Sequence, residues 1–176
     1  MKKLRTILFA ITCTLVIALT TLLPVTATDD AFDLGKNLYS TNYIFLDADT
    51  GQVLSAKKQD EQISIASLTK MMTVLLAIEN SSSLNQTVTI TDEMIDGLYE
   101  EQASVAGYVN GDTATVLDLC YAAAIPSAAD AANALAIQIG GSFENFYQMM
   151  NDKAAQLGMD HTVFKSAHGL DREGQY

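Results

Sequence analysis

Tryptophan is absent from this 176-residue chain, and cysteine and proline occur only twice each. Basic residues are scarce, 10 against 21 acidic ones, for a formal net charge of −11. A chain this acidic does not bind nucleic acid or anionic lipid through its general field. There are two histidines, His161 and His168, seven positions apart with no carboxylate–histidine cluster beside them, so no metal site is expected and they read as loop or packing residues. No internal repeat and no low-complexity tract interrupts the chain. Long apolar runs are also few. One lies at the N-terminus and one follows residue 70.

The N-terminal run reads as a secretory signal. Lys2, Lys3 and Arg5 form its positive end, Ile7 to Leu23 its apolar stretch, and Val25-Thr26-Ala27 a small-residue cleavage site. Thr12, Thr14, Thr20 and Thr21 weaken the stretch as a membrane span, although its length of about 17 residues is marginal for one. Cleavage after Ala27 removes three basic residues and no acidic one, which moves the net charge from −11 to about −14. It also removes Cys13 and leaves Cys120 alone, which excludes a disulfide within the mature chain. The expected organisation is a signal peptide over 1–27, a leader over 28–41 and one domain over 42–176.

Tyr43 to Ser55 reads as a β-hairpin that turns at Asp49-Thr50-Gly51. An apolar helix is expected from about Ala66 to Glu79, ending in the loop Asn80-Ser81-Ser82-Ser83. Thr87-Val88-Thr89-Ile90 is β-like, and Thr91 or Asp92 can cap a short helix through Met94, Ile95 and Leu98. From Thr115 the chain turns helical up to Ile125, where Pro126 stops it. A second helix follows Ser127 and runs to Ile139, with Gly140-Gly141 behind it. A third carries Phe143, Phe146, Tyr147, Met150, Ala154 and Leu157 on one stripe, with Gly158 as its cap. A hairpin, a buried helix and a block of helices make an α+β class. One hairpin is too little sheet to cover a helix apolar nearly all round, so further strands are needed, and none is evident.

Ser67-Leu68-Thr69-Lys70 opens that apolar helix and is the most informative string in the chain. Helical residues three apart share a face, with Cβ atoms about 5–6 Å apart. The spacing therefore pairs a hydroxyl with an amine, as acyl transfer by a serine requires. An amine at the edge of an apolar core is partly desolvated, which favours its neutral, proton-accepting form. The spacing alone is common, and Ser55-Ala56-Lys57-Lys58 repeats it. That second string lies on the hairpin, where residues three apart point to opposite faces and lie about 10 Å apart. Only Ser67 has its lysine on the same side.

With the segments placed, Ala66 to Thr73 resembles the nucleophile motif of secreted D-alanyl-D-alanine carboxypeptidases, the low-molecular-weight penicillin-binding proteins. Gly51-Gln52-Val53-Leu54 resembles the strands leading into it. Pro126-Ser127-Ala128-Ala129-Asp130-Ala131-Ala132-Asn133 is similar to the second motif, and Met150 to Ala154, Leu157-Gly158-Met159 and His168-Gly169-Leu170 continue the likeness over roughly residues 40–176. The resemblance implies a β-lactamase/transpeptidase-like fold with an N-terminal hairpin, a buried central helix and a helical subdomain. It implies Ser67 as nucleophile, Lys70 as general base and Ser127 as proton relay, acting on a peptidoglycan stem peptide outside the cytoplasm, without cofactor or metal. It also implies acylation by β-lactams, and membrane contact only through an uncleaved signal or a C-terminal segment.

Two departures stand out against the motif set S-x-x-K, S-D-N and K-T-G. The second motif has Ala129 where an asparagine is expected, which removes an amide that would bind substrate. Asn133 is a full turn further on and does not replace it. The third motif is absent: Lys165-Ser166-Ala167 is the nearest string and lacks the glycine. The chain therefore reads as the front part of such a domain, with the rest of the antiparallel sheet missing. An inactive envelope protein that holds peptidoglycan without cleaving it is the alternative. The strand-versus-helix distinction has a direct check: Ser67→Ala in the full protein abolishes labelling by a fluorescent penicillin, whereas Ser55→Ala leaves it nearly intact. Equal loss in both contradicts it.

Overall fold

The computed structural model describes residues 38–176, so the expected signal peptide and most of the leader lie outside the described residues. The described chain forms two units, meeting between Glu61 and Gln62. In the first, β1 (Tyr43–Leu46) pairs antiparallel with β2 (Val53–Lys57), with a register shift between Phe45 and Leu46. The turn is built by Asp47. Its Oδ1 accepts from Thr50 N at 2.8 Å and Thr50 Oγ1 at 2.6 Å, and Gly51 supplies the positive φ of 72° that closes it. These two hydrogen bonds hold the Asp47 carboxyl below its usual range. Ser55 bonds Tyr43 across the strands, Oγ to OH at 3.2 Å, and Lys58, just past the strand, pairs with Glu61 at 3.1 Å. Ser55 and Lys58 thus have separate partners.

The second unit is helical around α1 (Thr69–Asn80), which a 3-10 turn, Ala66–Leu68, leads into. One face of α1 is buried through Met72, Thr73, Leu76 and Ala77, packed on α3 (Val116–Ala124) and α4 (Ala129–Gly140). Its other face carries Leu68, Met71 and Ile78, which are 64, 71 and 52 % exposed. The apolar pattern all round the helix thus leaves one stripe open, as expected where little sheet is available to cover it. The helix buried most completely is α4, where every residue from Ala129 to Ala136 is buried. Its alanines explain this. Small side chains let α1, α3 and α5 (Phe143–Gln156) close on it from several sides.

Local signals set the ends of these helices. Thr115 and Asp118 form a reciprocal capping box at the start of α3, and Ser142 Oγ accepts from Asn145 N at the start of α5. Gly141, at φ 74°, ends α4 in the left-handed conformation. Helix α2 (Asp92–Ile95) is a single turn. Strand β3 (Thr87–Thr89), the stretch that reads as β-like in the sequence, pairs antiparallel with β4 (Thr113–Thr115), so a second two-stranded ribbon forms with a partner strand that was not evident. Strand β4 was hidden because its last residue, Thr115, is also the N-cap of α3.

Residues 159–176 contain no helix or strand, yet they are held firmly. Asn151 donates Nδ2 to Phe164 O and accepts Phe164 N on Oδ1, at 2.9 and 2.8 Å. Val163 and Tyr176 exchange both backbone hydrogen bonds. Tight packing extends to Gly140, where an added Cβ would lie 2.8 Å from the Phe146 backbone nitrogen. Overpacking of that kind costs about 1–3 kcal/mol, while alanine regains about 0.5–1 kcal/mol of helix propensity. Gly140→Ala is therefore expected to lower the stability measured by urea unfolding by about 1–2 kcal/mol. An unchanged midpoint would mean that α4 and α5 can separate freely there.

Candidate active site

Lys70 is the hub. Its position in the first turn of α1 leaves it 6 % exposed, and its Nζ has three oxygen partners. Ser67 Oγ lies at 3.2 Å, Ser127 Oγ at 3.2 Å, and the backbone carbonyl of His168 at 2.7 Å. Burial pushes the Lys70 amine below the usual lysine value, because the charged form loses its hydration. The dyad expected from helical spacing is thus formed, with Ser67 itself on the 3-10 turn and exposed to solvent.

Ser127 meets the same amine from the α3–α4 connection. As an ordinary helix N-cap its hydroxyl would turn to the helix. Instead the N-cap is Ala128, without a side-chain hydrogen bond, and the Ser127 hydroxyl turns to Lys70. Ser127 adopts φ 61° and Ala66, next to Ser67, φ 45°. Such left-handed conformations cost non-glycine residues about 1–3 kcal/mol and persist where the surroundings fix them.

The third partner was not legible in the sequence, because a backbone carbonyl has no residue signature. His168 is quoted in the resemblance, but its contribution here is its C=O. The segment around it is clamped to α1 where Ala167 O accepts from Thr73 Oγ1 at 2.6 Å, and it is closed on itself where Gly169 N donates to Ser166 Oγ at 3.0 Å. Gly169 carries the one sequence signal, since a Cβ there would lie 1.9 Å from Ala66 O. The His168 ring is buried and accepts from Leu170 N on Nδ1 at 3.1 Å. Burial first, then the positive charges of Arg172 and Lys70, lower its pKa to about 4, so it is neutral near pH 7 and free to accept.

The remaining candidates lie elsewhere. Ala129 is buried in the first turn of α4, its N–H donated to Ser104 O at 2.7 Å. Asn133 points away from Lys70, giving Nδ2 to Met94 O at 3.1 Å. Lys165 is bound to Glu173 O, and Ser166 is buried against Gln175, so the Lys165-Ser166-Ala167 string lies outside any strand. Cys120 is a buried free thiol whose pKa burial raises, which makes it unreactive. An open groove of about 700 Å³ is walled by Leu68, Met71, Val74, Leu75 and Ile78 on one side and Ala123 and Ala124 on the other, and Ser67, Lys70 and Ser127 line it too.

Comparison with known proteins points the same way as this geometry. Residues 26–176 match the family described as D-alanyl-D-alanine carboxypeptidase. The chain is 37 % identical over 137 residues to the D-alanyl-D-alanine carboxypeptidase DacF of Bacillus subtilis, covering 76 % of this chain and 34 % of DacF. It is 35 % identical over 140 residues to DacC of Escherichia coli, covering 76 % of this chain and 35 % of that protein. Among solved structures, the Streptomyces K15 DD-transpeptidase superposes with a TM-score of 0.71 at 33 % identity, over 76 % of this chain and 53 % of the other. Penicillin binding protein 6B from Escherichia coli gives 0.70 at 32 % identity, over 76 and 44 %. The chain thus spans about a third of the length of these curated relatives. With a serine, a buried lysine and a second serine joined as above, and this match over most of its length, the chain belongs to the D-alanyl-D-alanine carboxypeptidase family.

Proposed function

We propose that the protein is a serine acyl-transfer enzyme acting on D-alanyl-D-alanine termini of peptidoglycan stem peptides, outside the cytoplasm. The observation that carries this reading is the buried Lys70 amine between two serine hydroxyls. A neutral amine has two N–H donors and one lone pair. The His168 carbonyl can only accept, so one N–H goes there. In the proposed reaction the second N–H serves Ser127 Oγ and the lone pair takes the Ser67 proton, the general-base role that the family resemblance implies for Lys70; both hydroxyls lie at 3.2 Å.

In the first step Ser67 Oγ bonds to the carbonyl carbon of the scissile amide while Lys70 takes the hydroxyl proton. Ser67 N–H, at the start of the helical turn, has no intrahelical partner and suits the developing oxyanion. Ser127 passes a proton to the leaving amine, terminal D-alanine departs, and an ester on Ser67 remains. Water, deprotonated by the same amine, then releases the peptide. β-Lactams follow the first step and stop at the ester. The absence of K-T-G and the presence of Ala129 keep a second reading open, a protein that holds stem peptides without cleaving them. The first reading requires a penicillin-labelled Ser67, and the second requires none.

The pH dependence has a definite sign. Acylation needs neutral Lys70, so its rate rises with pH and levels off at an inflection below the ordinary lysine value of about 10.4, because burial lowers it. Stopped-flow acylation by a chromogenic penicillin between pH 5 and 10 measures this. An inflection at or above the ordinary value contradicts Lys70 as the desolvated base. Lys70→Arg keeps the charge but cannot release its proton, and is expected to lose about 100-fold or more in rate.

A further inference from the structure

Asp130 is a buried carboxylate that the reaction above does not use. It is 1 % exposed, and four backbone N–H groups point at it. Oδ1 accepts from Ala106 at 3.0 Å and Ala131 at 2.8 Å, and Oδ2 accepts from Gly107 at 2.9 Å and Tyr108 at 3.1 Å. Three of those donors belong to one stretch of loop. One residue earlier in α4, Ala129 N donates to Ser104 O. The loop from Ser104 to Tyr108 is therefore laced to the first turn of α4. One residue earlier again, Ala128 N donates to Ala122 O in α3. Three consecutive residues, Ala128 to Asp130, are tied to the surrounding fold immediately after Ser127.

Ser127 itself stands at φ 61°, a conformation that needs outside support. Its hydroxyl reaches Lys70 from that backbone setting, and its own backbone groups take part in none of the ties just described. We infer that Asp130 is a positioning residue: by pinning the Ser104–Tyr108 loop against α4 it fixes the left-handed backbone of Ser127 and so aims that hydroxyl at Lys70. The inference rests on Ser127 and Lys70 being the working groups of the proposed reaction.

The charge state of residue 130 makes the device testable. A carboxylate accepts on both oxygens. Asp130→Asn is nearly the same size, but in either orientation its NH2 faces two N–H donors, so two of the four hydrogen bonds are lost. A displacement of about 1 Å at a working group can cost about 100-fold in rate. In the full protein, Asp130→Asn is expected to slow acylation of Ser67 by a chromogenic penicillin by about that factor. In a Ser127→Ala background the same change should cost less than about twofold, because no hydroxyl remains to be misplaced. A crystal structure of Asp130→Asn should show Ser127 outside the left-handed region, its Oγ beyond hydrogen-bond distance of Lys70 Nζ.

Asp118→Asn, the same change in the exposed α3 capping box, is the control. It is expected to lower the melting temperature and leave acylation within about twofold. If Asp130→Asn does not fold, Ala129→Pro serves in its place. Proline suits the first turn of α4, the φ −68° and ψ 122° of Ala128 suit the position before it, and its ring replaces the N–H that faces Ser104 O, so the Ala129–Ser104 tie is lost and the loop is pushed away there. It should slow acylation in the same, Ser127-dependent way. Equal losses with and without the Ser127 hydroxyl overturn the inference, as does a variant structure in which Ser127 still bonds Lys70. If penicillin does not acylate even the native protein, the proposed function fails on its own, and the crystal structures still decide whether Asp130 holds Ser127.

Discussion

A lysine amine stripped of water is the constraint around which the described structure is arranged. Removing an ammonium from water is costly unless acceptors replace the lost hydration or the group gives up its proton. Lys70 does some of each. Its three oxygen partners come from residue 67 in the local turn, residue 127 in the α3–α4 connection and residue 168 in the irregular segment beyond α5. Each of those three stretches departs from regular structure, and each is stabilised by features that otherwise look incidental. Ala66 and Ser127 hold left-handed backbones, Gly169 makes room for the Ala66 carbonyl, and Thr73 binds the carbonyl preceding His168.

The helices provide the stiffness this requires. Packing through alanine brings α4 close to α1, α3 and α5, so the start of α4 cannot shift without disturbing several contacts. The same closeness leaves little room for bulky residues there, which accounts for the run of small side chains from Ala128 to Ala136 interrupted only by Asp130, Asn133 and Leu135. Asp130 is accepted in that setting because loop N–H groups hydrogen-bond both of its oxygens.

How much of this could be read from the residues depended on range. Ser67 and Lys70 are three apart on one element, so local geometry alone brings them together. The helix limits near Asn80, Ile125 and Gly141 follow from loop, proline and glycine signals close by. Ser127 was legible through its likeness to a family motif. The His168 carbonyl, the Asp130 lacing and strand β4 were not legible. A carbonyl is common to every residue, the lacing joins stretches more than 20 residues apart, and a three-residue strand ending in a helix cap has no period to detect.

The separation between Lys70 and His168 has a consequence for the order in which the site comes into being. The amine and the carbonyl that seats it are 98 positions apart in the chain. Chains are made from the N-terminus, so Ser67 and Lys70 emerge long before the stretch from Ser166 to Leu170. Until that stretch arrives the amine remains hydrated, and a hydrated lysine stays protonated near neutral pH. The dehydrated seat of Lys70 is therefore complete only after nearly the whole described segment has been synthesised and packed.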